Sequence, residues 1–273
     1  MKFNPLFTAA MFLTVSSPAQ VLISGYLANP AGTDSPYEYV QLVAAQGIDF
    51  STSPMSVVFA SNGAGTANGW TEGGNITYKF NLTSGTLSAG DVFYVGGSGK
   101  LINGAGSLDI SGQNWIRTIN TGTTAGDGFG NFQSGGVLGN GGANADGIGI
   151  FNGTTITAGT VPVDAVFFGT GVGTALVSAG TAGYQLPVND LYAGGKLQTT
   201  SAIFADPASA AYTKLTGTYD PSAGIWTTTR TAALVPSPTT LPSIASAITV
   251  PEPSALALAG LAAVAWIGHR RRK

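Results

Sequence analysis

An all-β fold, an antiparallel β-sandwich, is predicted by three features of the chain. They are 40 glycines, a charged fraction of only 9%, and short β-branched or aromatic runs separated by turn residues. Inside the body no segment keeps an apolar period of 3.6, which argues against helices. For 273 residues, one elaborated domain flanked by terminal signals is expected, because β-sandwiches run to about 200–250 residues. The organisation read from the chain is an apolar N-terminal segment at 1–19, a β-sandwich domain at 20–231, a linker at 232–249 and an apolar, basic-ended tail at 250–273.

At the N-terminus, Lys2 is a short basic start, Leu6 to Val15 is apolar, and Ser17-Pro18-Ala19 is a small-residue exit. This is the layout of a secretory signal peptide with cleavage between Ala19 and Gln20.

The clearest strand is Ile76 to Leu82, where Ile76, Tyr78, Phe80 and Leu82 alternate with polar residues. Further strands are expected at Tyr37 to Val43, Ser56 to Ala60, Asp91 to Val95, Gly147 to Phe151, Val163 to Phe168, Lys214 to Tyr219 and Ile225 to Thr229. Asp220-Pro221-Ser222-Ala223-Gly224 is a turn that joins the last two as a hairpin. Two sheets must then cover each other's apolar faces, which gives the sandwich. Leu101 to Gly142, rich in Gly, Asn and Thr, reads as a long Gly-rich insertion with one strand at Trp115 to Ile119. Ala232 to Thr249, made of Pro, Ser, Thr and Ala, reads as a semi-extended spacer whose hydroxyls are possible sugar acceptors.

The C-terminal end orders three features. Val250-Pro251-Glu252-Pro253-Ser254 precedes an apolar run from Ala255 to Gly268, and His269-Arg270-Arg271-Arg272-Lys273 follows it. The prolines exclude a helix across themselves, so a single hydrophobic helix starts at Ser254, a good N-cap. Through Gly268 it rises about 23 Å at 1.5 Å per residue, short of the roughly 30 Å hydrocarbon layer. The basic cluster stays on the cytoplasmic side. Such a segment suits a temporary stop better than a permanent anchor.

This tail resembles the PEP-CTERM sorting signal of bacteria that make extracellular polysaccharide. The resemblance implies that a membrane-embedded exosortase is the transient partner, recognising Pro251, Glu252 and Pro253. It also implies that the enzyme removes the tail, including Arg270, Arg271, Arg272 and Lys273, and passes the body to the surface or matrix.

A second resemblance concerns the body. Leu22 to Pro30 followed by Glu38 to Leu42 is similar to the first strand pair of the bacterial secreted lamin-tail domain. Gly142 to Phe151 and Val163 to Gly169 are similar to its paired late strands. The resemblance implies an immunoglobulin-like antiparallel β-sandwich that binds or scaffolds. Gly25 and Gln41 stand where acidic residues are frequent in that family.

Composition excludes several chemistries. With no cysteine, disulfides and thiolate metal sites are absent, and the one histidine, His269, lies in the tail, so histidine-based triads and zinc sites in the body are excluded. Between Gln20 and Thr249 six cations face twelve carboxylates, so the formal charge there is −6 and lacks the basic footprint that nucleic acid requires. Asp34, Glu38, Asp49 and Glu72 are carboxylates available for glycoside hydrolysis, but their spacing singles out no pair. Asp127 to Asn131 and Asn140 to Asp146 carry oxygen ligands that calcium uses, but neither has the spacing of a calcium loop, and the positive φ that turns need explains these residues better. The sequons at Asn75, Asn81 and Asn152 are chance matches beside a bacterial tail. Trp70, Trp115 and Trp226 are either a sugar-stacking surface or core plugs.

The expected function is therefore a non-enzymatic, exported envelope or matrix protein with structural or adhesive contacts to extracellular polysaccharide or surface proteins. It needs no cofactor and no metal, and it resides at the inner membrane until processed. The alternatives are a secreted polysaccharide hydrolase acting through carboxylates and a permanently tail-anchored protein.

Overall fold

The computed structural model describes residues 20–60, 69–72, 77–119, 127, 136–139, 146–157, 159–169, 184–187, 203–205 and 207–251. The elements are β1 (Val21–Leu27), β2 (Tyr39–Ala44), β3 (Ile48–Asp49), β4 (Met55–Ala60), a single turn α1 (Gly69–Glu72), β5 (Thr77–Leu82), β6 (Thr86–Leu87) and β7 (Val92–Gly97). They continue with β8 (Trp115–Ile119), β9 (Asp146–Asn152), β10 (Asp164–Phe168), β11 (Ile203–Phe204), β12 (Ala211–Asp220), β13 (Ile225–Trp226), β14 (Thr231–Pro236) and β15 (Ala247–Thr249). The fold is all-β. One sheet runs β13-β12-β1-β2-β7-β8 with β14 and β15 also on β12, the other runs β11-β10-β9-β4-β5, and β3 pairs with β6.

The two sheets form a sandwich because each strand's alternation sends one set of side chains to the shared core. Ile23, Val40, Leu42, Phe93 and Val95 of the first sheet meet Val57, Phe59, Phe80, Ile148, Ile150, Val166 and Phe168 of the second. The outer faces are covered as well. Trp70 lies over Gly147 and Gly149 beside Phe151, Phe167 and Tyr184, closing the second sheet. Tyr39, Tyr94, Tyr212 and Ile244 close part of the first.

Two expectations are corrected. Pairing is not purely antiparallel, since β7–β8, β10–β11 and β12–β15 are parallel. In each case the connection is long enough to bring the chain back in the same direction. Ala232 to Thr249 is not a spacer. β14 extends the sheet from Ala211 to Thr216 of β12, a 3-10 turn follows at Leu241–Ile244, and β15 lies along Thr216 to Thr218. The open hydrogen-bonding edges of β12 order this segment, although its own composition is spacer-like.

The opening of the Gly-rich insertion is also ordered, with Ile102 and Ile110 buried and the Tyr39 hydroxyl donating to the Ile102 carbonyl at 3.0 Å. The expected C-terminal helix at 254–268 lies outside the described residues. Among those residues no helix is long and apolar enough to cross a membrane.

Candidate functional site

The end of the body that carries the tail is built around a fault in the first sheet. β1 pairs with β12 only at Gly25 and Tyr26, and a bulge between Ile23 and Gly25 resets its register against β2. The extra residue, Ser24, changes which side chains face inward, from Ile23 to Tyr26. Gly25 is required there, because a Cβ would sit 2.1 Å from the Tyr212 hydroxyl.

Upstream of the bulge β1 parts from β12. The Ile23 N–H instead donates to Asp164 Oδ2 of the opposite sheet at 2.8 Å. β15 fills the resulting slot. On the far side of β12, Thr216 already pairs with Thr231, and the Thr227 N–H donates to the Thr218 carbonyl at 2.8 Å. The parallel partner of Thr216 to Thr218 therefore lies on the side that β1 has left.

Two buried polar clusters hold this arrangement. Asp164 and Arg230 form an ion pair at 3.1 Å with side chains 0% and 4% exposed. Arg230 also donates to the Ala165 carbonyl, and its guanidinium lies 4.4 Å from the Trp226 ring centre. In the second cluster the Gln41 amide donates to the Tyr94 hydroxyl at 3.0 Å and to the Ile244 carbonyl at 2.9 Å, while Ser24 donates to Gln41 Oε1. Gln41 thereby fixes the 3-10 turn that leads into β15.

Beyond β15, Ile248 and Val250 pack on Leu22, Val43, Tyr219 and Trp226, and Pro251 emerges exposed. It borders a groove of about 640 Å³ whose walls include Ala45, Gln46, Ala89, Asp220 and Pro221. Gln20 reaches the same end, where its carbonyl accepts the Ala45 N–H at 2.8 Å.

Of the sequence-predicted carboxylates, the structure brings Asp34 within electrostatic reach of Glu38, where its charge adds to the upward shift of the Glu38 carboxyl. Asp49 and Asp220 lie below the ordinary carboxylate range because the hydroxyl and backbone N–H of Ser51 and Ser222 bind them. Asp127 pairs with Arg117 at 2.7 Å and accepts the Asn81 N–H, so its oxygens are committed to loop structure.

Glu38 is buried, and Oε2 accepts the Val137 and Leu138 N–H groups while Oε1 has no hydrogen-bond partner among the described residues. Burial pushes this carboxyl well above its ordinary range, against the pull of the two N–H groups. Asp34, half-buried, shifts upward through desolvation. The side chain of Glu72 and residues 128–131 and 140–145 lie outside the described residues.

The tryptophans do not share a surface. Trp70 and Trp226 are buried in separate clusters, and Trp115 stacks on Tyr94 with centroids 5.2 Å apart. Sequence reasoning passed over Asp164 and Arg230. The available signal was an aspartate inside the apolar run Val161 to Phe168.

Of the expected sorting residues, Pro251 is described, and Glu252, Pro253 and Arg270 to Lys273 lie outside the described residues, as does Ala19. Residues 249–273 match the PEP-CTERM protein-sorting motif. The motif implies export, recognition by exosortase and processing at the membrane. It begins at Thr249, the last residue of β15, so the sorting signal leaves the sheet with no intervening spacer. No curated protein and no solved structure matches the chain.

Proposed function

We propose that this chain is an exported bacterial envelope or matrix protein, delivered by exosortase processing of its tail, whose body makes structural or adhesive contacts around extracellular polysaccharide. The carrying observation is a sorting motif that starts where a folded β-sandwich ends. The N-terminal leader at 1–19 and the single apolar helix at 254–268 belong to the same reading: the first starts export and the second halts the chain in the membrane.

The body is best taken as an immunoglobulin-like, lamin-tail-like scaffold rather than an enzyme. Its aspartates support this. Asp49, Asp91, Asp109 and Asp220 cap turns through nearby N–H groups, Asp127 is ion-paired and Asp164 is buried in an ion pair. Gly25 and Gln41, the departures from the lamin-tail pattern, both serve the slot that receives β15.

Terminal mass spectrometry on the protein from its host, with and without exosortase, tests the reading. The expected result is a body starting at Gln20 and lacking Arg270 to Lys273 only when the enzyme is present. A mature protein that keeps the basic tail in both strains would overturn it.

A further inference from the structure

We infer that the end of the sandwich formed by Ala45–Gly47, Ala89 and the β12–β13 turn is the surface on which the body meets exosortase. This inference rests on the proposed sorting function. It follows from chain length. Thr249 is fixed by pairing with Thr218, and five residues, Val250 to Ser254, separate it from the apolar run. At about 3.3 Å per residue they reach no more than roughly 17 Å. A bound motif therefore brings this end of the body against the enzyme, while the other end of the ten-residue strand β12 stays about 30 Å away.

The chemistry of this end suits a protein partner. Its polar groups are already bonded within the body: Asp220 holds the Ser222 and Ala223 N–H groups, and the Gln46 amide donates to the Pro221 carbonyl at 3.1 Å. Covering them leaves few unmet hydrogen bonds. Ile225 at the turn is 46% exposed, and Ala89 and Pro251 add further apolar surface. Among the described residues no lysine or arginine lines the groove, whereas an anionic lipid surface recruits basic residues. Gln20 emerges at the same end, so both membrane-directed segments diverge from one pole.

Because the chain has no cysteine, single introduced thiols report on each end without background. Ala89→Cys and Ala223→Cys mark the proposed surface; Leu108→Cys and Ser209→Cys mark the opposite end, and all four positions are exposed. The full chain is held by catalytically inactivated exosortase in membranes and treated with an impermeant maleimide. Labelling at Ala89→Cys and Ala223→Cys is expected to slow about tenfold relative to the distal pair, as water is excluded from the contact. A Gly-Ser spacer inserted between Thr249 and Val250 restores labelling while the chain remains bound. Equal labelling at both ends overturns the inference. Equal protection in membranes lacking exosortase assigns the surface to lipid and also overturns it. Failure of the inactive enzyme to retain the tail-bearing chain rejects the sorting function itself and the inference with it.

Discussion

Asp164 on β10 and Arg230 just before β14 meet in the interior, joining the two sheets through an ion pair that also holds the stray Ile23 N–H of β1. Three separate stretches of chain are thereby tied at one point. With Trp226 beneath it and the Ala165 carbonyl beside it, the guanidinium has partners that replace the lost water.

Removing one member leaves a buried charge unmatched, which costs about 3–5 kcal/mol. Arg230→Met and Asp164→Ala are each expected to lower stability by that amount in urea denaturation. The double variant recovers part of the loss, and strict additivity would show that the two do not act as a pair.

The second sheet's outer face depends on glycine. An added Cβ at Gly147 would lie 2.8 Å from the Trp70 ring, and at Gly149 3.0 Å from it. Gly147→Ala is expected to destabilise by about 1–3 kcal/mol through overpacking. In a Trp70→Leu background the same change becomes smaller, and an unchanged penalty would mean that Trp70 is not the obstacle.

Stability should also depend on the protonation of Glu38. Its folded pKa lies above the unfolded value of about 4.3, so the native state binds the extra proton and stability falls as pH rises from there through the folded value. Asp34 adds to the same slope. The lowered carboxylates Asp49, Asp109, Asp127 and Asp220 act below this window, where their stabilisation is lost as pH falls. As pH rises above the unfolded value of about 4.3 the melting temperature is expected to decline, and Glu38→Gln to flatten that decline. An equal slope in both proteins would assign it elsewhere.

β15 sets a limit on where the chain can be cut without loss. A body ending at Val250 is expected to match the uncut chain, whereas one ending at Ala245 loses Ile248 and about 1–3 kcal/mol of burial and pairing. Thermal melts of the two truncations check this. The processed C-terminus, read by mass spectrometry, should fall at Val250 or later.

Much of the sandwich was legible because its strands carry their own pattern. Tyr78, Phe80 and Leu82 enter the core as their alternation requires, and Asp220 to Gly224 closes the hairpin with Tyr219 opposite Trp226 and Gly224 at φ 71°. The alternating Gly147 and Gly149 also encoded a cover for one face, but not that Trp70, far upstream, supplies it.

β14 and β15 were hidden for the opposite reason. Thr231 to Leu234 are exposed and Ala247 to Thr249 span three residues, so neither shows a period. What makes them strands is vacant backbone on β12, and that vacancy depends on a bulge at Ser24, more than two hundred residues upstream. The tail was legible as an ordered string of prolines, apolar residues and arginines. The groove beside Pro251 was not, since it is assembled from four separate stretches of chain.

The slot beside β12 has a consequence for export order. In a chain threaded outward from its amino end, β1 through β14 arrive before Ala247, and the place for the last strand stays empty until the final residues of the body have crossed. The sandwich is then completed by the segment joined to the sorting signal. Under the proposed export, completion of the fold and delivery of the segment that carries the signal then coincide.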